Sequence, residues 1–468
     1  MTNTLDLAAF GVESIDQLAR IAGAALELQS AGTCEHPIRL IGGRDVIERA
    51  TGLLLDTQRD IRASMPCGNR RATRCPHCST LYKYDAYNLV AAGLRGGKQT
   101  PQTVAANPRL FVTLTAPTFG RVHLGPDKQG NRRACNPRRD GSGCGRWHAP
   151  GDPLIGTPLD PVGYDYAGHV LFNAMAGRLW SATVTEVRRT FARLLGIPRR
   201  ELRDHLTLTF AKVAEYQVRG VVHFHAVVRL DGPTGPGTPP PAYATTEQLD
   251  HAIRTAVAST RLVVPDTREL GEHAVSWGKQ LDIRPIAPEH LAGGELSDVA
   301  VARYIAKYAT KGAETAGTEL PPLACRDCSA TGQRQIEGHG PIPCAGCDAT
   351  GRRYDLDPWG LREHHRILIE TCWRLGAIPE LAPLRLRQWA HMLGFGGHFA
   401  TKSRTYSTTF GALRQERADY MTAHDPVASA LAESEDLIVI NHWSFAGHDD
   451  GPSLVRADSS RAEWGCDD

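Results

Sequence analysis

Apolar positions recur at helical spacing through Leu18, Ile21, Ala25 and Leu28, and again through Val46, Ile47, Leu53 and Leu54. This periodicity predicts a helical N-terminal region over 1–65. A helix is expected over Asp85–Leu94, then a strand over Leu110–Thr115 ended by Ala116-Pro117. Tyr164–Leu195 reads as one long helix stopped by Gly196 and Pro198. Two β-rich runs, Leu206–Val213 and Val221–Leu230, read as an antiparallel hairpin joined through Gln217–Gly220, and Gly232–Pro241 is a linker. A helix over Thr246–Ala258, a strand over Leu281–Ile286 and a helix over Ser297–Lys311 follow. This order predicts an α+β fold, one antiparallel sheet with helices on one face. Farther on, His364–Leu375 and Arg385–Leu393 read as amphipathic helices, Arg404–Thr409 is basic and hydroxyl-rich, and an acidic tail over 426–468 is expected to be poorly ordered at its end.

The chain has 468 residues, enough for two to four units at about 150 residues each. No run approaches the roughly 18 apolar residues of a membrane span. No charged-then-apolar leader precedes Arg20, so a cytoplasmic protein is expected. Net charge is +2, and Arg supplies 45 of the 53 basic residues. Such a bias reflects a GC-rich genome as readily as phosphate binding. The eight lysines carry more information, and two of them, Lys307 and Lys311, sit in the motif discussed below.

Cysteines divide the chain further. Cys325-x-x-Cys328 and Cys344-x-x-Cys347 form an internal repeat of period 19, a strong tetrathiolate zinc signal over 318–355. The repeat is similar to the zinc knuckles of DnaJ-type chaperones, but the chain lacks that family's His-Pro-Asp tripeptide, so only the zinc site carries over. An earlier zinc-binding segment spans 66–105, and a Cys/Arg-rich insertion spans 120–160. Cys75, Cys78, Cys135 and Cys144 are assigned to one zinc site there, with Cys67, His77 and His148 as competing ligands.

Two short motifs carry the chemistry. In Val222-His223-Phe224-His225-Ala226 the imidazoles are two apart on a strand and therefore share a face. They make half of a divalent-cation site. Glu215, at the hairpin end of the preceding strand, is the expected third ligand, which suits Mg²⁺ or Mn²⁺ and does not exclude zinc. In Tyr304-Ile-Ala-Lys307-Tyr308-Ala-Thr-Lys311 the tyrosines are four apart on one helix face, as are the lysines beside them. Two phenols backed by cations suit attack on a phosphodiester.

The order of strand Phe111–Thr115, then His-Phe-His, then Tyr-x-x-x-Tyr-x-x-Lys resembles the HUH endonucleases of rolling-circle replication. Cys67–Thr73, Phe111–Gly120, Leu159–Ala167 and Thr401–Phe410 extend the likeness to the replication initiators of actinomycete integrative and conjugative plasmids, over roughly 65–415. The resemblance implies an HUH nuclease core over 106–317, a helical DNA-binding region over 356–425, and a site-specific nickase and strand transferase. It implies a metal on His223 and His225, Tyr308 as first nucleophile and Tyr304 as second, with a 5′-phosphotyrosine intermediate. Single-tyrosine initiators carry Glu where this chain has Tyr304, which leaves the role of Tyr304 open. Implied partners are origin DNA, single-stranded at the nick site and duplex beside it, and a host helicase and polymerase. No Gly-x-x-x-x-Gly-Lys-Ser/Thr helicase signature is present. The alternatives are a non-catalytic zinc-containing DNA-binding regulator and an HUH transposase or relaxase. Relaxases usually place their tyrosine before the histidines, the reverse of the order here.

Overall fold

In the computed structural model, the chain is described over 32–127, 129–141, 143–288, 296–336, 338–353, 356, 360–424 and 437–448. Strands β1 (Ile38–Glu48) and β2 (Leu54–Met65) precede helix α1 (Pro76–Arg95) and strand β3 (Arg109–Leu114). Next come α2 (Tyr166–Leu195), β4 (Thr207–Tyr216), β5 (Val222–Asp231), α3 (Thr246–Ser259), β6 (Arg261–Thr267), β7 (Gly271–Ser276), β8 (Leu281–Pro285) and α4 (Asp298–Ala309). The chain continues through β9 (Gln333–Ile336), β10 (His339–Pro343), α5 (Glu363–Leu375), β11 (Ala400–Lys402), α6 (Phe410–Ala423) and β12 (Leu437–His448). Two units emerge, one of residues 1–86 with 409–468 and one of residues 87–408.

The first unit holds a three-stranded antiparallel sheet in the order β12-β1-β2. The helical reading of 38–65 is therefore corrected, while Leu18, Ile21, Ala25 and Leu28 lie outside the described residues. Val46-Ile47 and Leu53-Leu54 flank a reverse turn at which Gly52 takes φ +72°, and Glu48 and Leu53 bond across it at 2.8 Å. Their apolar spacing is that of two strand ends meeting. Within the acidic tail, 437–448 pairs along β1, and its end lies outside the described residues. Arg417 forks onto Asp85 at 2.6 and 2.9 Å within this unit.

The second unit is built on a five-stranded antiparallel sheet, β11-β4-β5-β3-β8. Its helices start and stop where side chains and glycine dictate. Asp165 caps α2 by accepting from the Gly168 amide at 2.7 Å, and Gly196 ends it at φ +65°. Ser297 caps α4 through the Ala300 amide at 3.1 Å.

One sheet face is apolar. Leu110, Val112, Leu114, Phe224 and Val228 are buried there, and the Phe224 ring meets Trp180 of α2 edge-on with centroids 6.3 Å apart. The other face carries His223, His225, Arg229 and Asp231, and α4 covers its histidine end, with the Tyr304 ring 4.9 Å from that of His225. Helices thus lie on both faces, a correction to the one-face expectation. The polar face of β4 and β5 is in this way covered by α4 at its histidine end. At the far end of the same face, Arg229 and Asp231 are fully buried and paired at 2.7 and 2.8 Å. Asn107 and Thr209 also donate to Asp231, and Arg229 donates to the carbonyls of Gly93 and Tyr406. A Cβ at Gly93 would meet the Tyr406 ring at 2.1 Å, so only glycine allows this helix to approach.

Two further differences concern periodicity. The stretch 385–393 is not a helix but turns followed by the 3₁₀ segment Ala390–Met392, bounded by the left-handed Arg385 and Leu393. Leu386, Ala390 and Leu393 are nonetheless buried, which explains the helix-like pattern. The β6–β7 hairpin was not anticipated, and it delivers Val264 and Val275 to the core. Among the described residues no helix is long and apolar enough to cross a membrane.

Candidate active site and cysteine clusters

Register between β4 and β5 sets Glu215 opposite His223 and Val213 opposite His225. One carboxylate oxygen, Oε2 of Glu215, lies 3.1 Å from Nε2 of His223 and 3.1 Å from Nε2 of His225. Burial alone would raise the Glu215 carboxyl, but hydrogen bonds from both imidazoles and their charge outweigh it and hold it down to about 2. His225 shifts the opposite way, since burial disfavours the imidazolium more than Glu215 supports it. The neighbouring strand β3 contributes Thr113, registered opposite His225, with its hydroxyl 3.0 Å from Nδ1. Phe111 stacks parallel to the His225 ring at 5.8 Å. Neither residue was assigned a role in holding the histidine from sequence. A threonine two positions before the end of the β3 run was the available signal.

Helix α4 brings both tyrosines onto this triad. The Tyr304 hydroxyl is 3.1 Å from His225 Nε2, and the Tyr308 ring is 5.9 Å from the His225 ring. The two phenol rings are 4.6 Å apart. Burial first, then the Glu215 charge, raises both phenols above their ordinary value. The lysines attend one of the two: Lys311 Nζ is 4.5 Å and Lys307 Nζ 5.6 Å from the centre of the Tyr308 ring. Of the four other residues predicted for this site, Tyr304, Lys307 and Tyr308 lie on α4 and Lys311 follows its end, and the structure brings this group to Glu215, His223 and His225.

The cysteines fall into clusters. Cys325, Cys328, Cys344 and Cys347 converge, with Sγ–Sγ distances of 4.0 Å between Cys325 and Cys344 and 3.7 Å between Cys328 and Cys347. These are too long for a disulfide and close to the ~3.8 Å edge of a tetrahedron with Zn–S bonds of about 2.3 Å. Amides of Gly332 and Gly351 donate to Cys328 and Cys347, as thiolates require.

The earlier assignment is corrected. Cys75, just before α1, and Cys78, in its first turn, converge with Cys34 and Cys67, at 3.8 and 3.6 Å from Cys34 Sγ. The β1–β2 hairpin explains this: Ile38 pairs with Met65, so the chain before β1 and after β2 meets, and the Cys67 amide donates to Cys34 Sγ at 3.3 Å. His77 faces Thr33 instead. Cys135 and Cys144 do not join this group, but approach His123 and His148. Cys34 stood alone in the sequence, and only the hairpin gives it partners.

The family profile described as "Replication initiator protein, pSAM2" matches residues 21–457. The chain is 43% identical over 437 residues to a "Replication initiator protein" of Streptomyces ambofaciens, covering 91% of this chain and 86% of that protein. No solved structure matches.

Proposed function

Because the chain belongs to the pSAM2 replication initiator family, we propose that it nicks one strand of origin DNA through tyrosine attack, leaving a 5′-phosphotyrosine for rolling-circle replication of a plasmid or integrative element. The observation that carries this reading is the meeting of Glu215, His223 and His225 with two phenols on a separate helix.

Two imidazole nitrogens and a carboxylate oxygen, all within 4.8 Å of one another, fit a divalent cation. Thr113 on Nδ1 leaves the Nε2 of His225 for that site. A bound Mg²⁺ or Mn²⁺ would supply Lewis-acid polarisation of the scissile phosphate. The rest falls to the chain. Tyr308 gives up its phenolic proton and its oxygen attacks phosphorus; the bond to the 3′ oxygen breaks, and that oxygen leaves with a proton as a 3′ hydroxyl. Lys307 and Lys311 favour the phenolate and offset charge gathering on phosphate. Tyr304 is bonded to His225 and serves the second transfer, after Tyr308 is occupied. The four-cysteine clusters hold structural zinc, and in the cytoplasm a host helicase unwinds the duplex while a host polymerase extends the freed 3′ end.

The test is incubation of the purified chain with supercoiled origin plasmid and Mn²⁺. The expected products are nicked circles whose 5′ end carries protein, with the DNA-linked peptide containing Tyr308; chelation or His223→Ala abolishes both. Tight origin binding with no nick under any metal would instead make the chain a DNA-binding regulator.

A further inference from the structure

The insertion over 120–160 has neither helix nor strand among its described residues, apart from a single bridge between Val122 and Pro158. Ordered loops beyond about 12–15 residues without secondary structure need some other restraint. Within this one, four potential ligands converge from both ends. His123 Nδ1 is 3.2 Å from His148 Nε2 and 3.7 Å from Cys135 Sγ, and Cys144 Sγ is 3.4 Å from His148 Nε2.

We propose that His123, Cys135, Cys144 and His148 form a Cys₂His₂ zinc site that staples this loop, distinct from both four-cysteine clusters. Zn–S bonds of about 2.3 Å and Zn–N bonds of about 2.0–2.1 Å in a tetrahedron give N···N edges of ~3.3 Å and S···N edges of ~3.5 Å. The observed distances lie within a few tenths of an ångström of these. The surroundings are those of a closed structural site. His148 is bonded through Nδ1 to Asp152 at 2.7 Å, which fixes the ring and leaves Nε2 facing the cluster. Cys135 receives the Leu124 amide at 3.2 Å and the Asn136 side chain at 3.4 Å, as a thiolate would. With four protein ligands no position remains open, so the role is architectural and not catalytic.

The staple has two consequences for the surface. It holds Arg132 over the half-exposed Trp147 ring at 4.2 Å. It also steadies the loop's return at Gly156, where a Cβ would meet the backbone of Val218, in the turn of the hairpin that carries Glu215 and His223.

Zinc content of the purified full chain tests the site. His148→Ala and Cys135→Ser should each lower zinc by one equivalent, and combining Cys135→Ser with Cys325→Ser should lower it by two. An unchanged content in the soluble single variants overturns the proposal. Should those variants not fold, alkylation of the wild-type chain decides. Cys144 is only partly buried, so its protection from iodoacetamide until a chelator is added is the expected result. Equally fast labelling before and after chelation refutes the site. Neither readout depends on whether the chain nicks DNA.

Discussion

The Thr113 hydroxyl meets His225 Nδ1 at 3.0 Å across the β3–β5 ladder. It is the contact that decides which ring nitrogen faces Glu215 and the tyrosines. Groups that orient a metal-bound imidazole typically contribute 10–100-fold in affinity. Thr113→Val is therefore expected to weaken Mn²⁺ binding about tenfold, with Thr113→Ser close to wild type. Calorimetric titration with Mn²⁺ checks this, and equal affinity for the Val variant would count against it.

The tyrosines should separate by step. Tyr308 is flanked by two lysines, whereas Tyr304 is committed to His225. Tyr308→Phe is expected to eliminate the covalent adduct. Tyr304→Phe should still nick but complete strand transfer poorly, because a second attack on the same side of the sheet is lost. A trapped adduct mapped to Tyr304 in the wild type would reverse the two roles.

Asp231 compensates a guanidinium with no solvent access. Asp231→Ala strands the Arg229 charge, and removing one partner of such a pair costs about 3–5 kcal/mol. Urea unfolding should show a loss of that size. Arg229→Met combined with Asp231→Leu should recover part of it. A single-variant effect below about 1 kcal/mol would contradict the burial argument.

Acid should destabilise the unit spanning 87–408. His169, His364 and His365 are buried side by side, with ring centroids 6.0 and 5.6 Å apart in sequence. Burial pushes His364 down to about 4 and His365 to about 3, and His169 well below its ordinary value. In the unfolded chain each takes up a proton near pH 6.5, whereas the native unit refuses it. Stability is thus full above pH 6.5 and falls as pH drops toward 4, by about 1.4 kcal/mol per pH unit for each histidine. Melting between pH 7.5 and 5 checks the sign, and His365→Leu should flatten the slope by one proton.

Much of the geometry of the candidate site is legible in the sequence because it is local. The two-residue period of His223 and His225 and the four-residue period of Tyr304 and Tyr308 each fix a shared face whatever surrounds them. Glu215 followed from the hairpin turn alone. Thr113 did not, since its partner lies 112 residues away and only strand order sets it opposite His225. The same limit governed the thiols. Cys325–Cys347 is a contiguous repeat and could be paired by spacing, whereas Cys34 and Cys67 meet through a hairpin that apolar spacing had disguised as helix. Residues 385–393 misled for the opposite reason: burial recurs there at helical intervals, but the left-handed Arg385 and Leu393 bound a run of turns.

β1 lies in the middle of its sheet, yet one of its neighbours, β12, begins at Leu437, close to 390 residues downstream of Glu48. At translation rates of about 5–20 residues per second, that edge of β1 waits roughly 20–80 s for its partner. Residues 87–408 leave the ribosome in the interval and have time to close their own core. Throughout it the nascent N-terminal hairpin offers an unpaired row of amides and carbonyls to any passing strand. Synthesis is therefore the stage at which this edge is most open to mispairing, and a message broken between codons 409 and 437 would yield a chain with its five-stranded sheet complete and its three-stranded sheet permanently open.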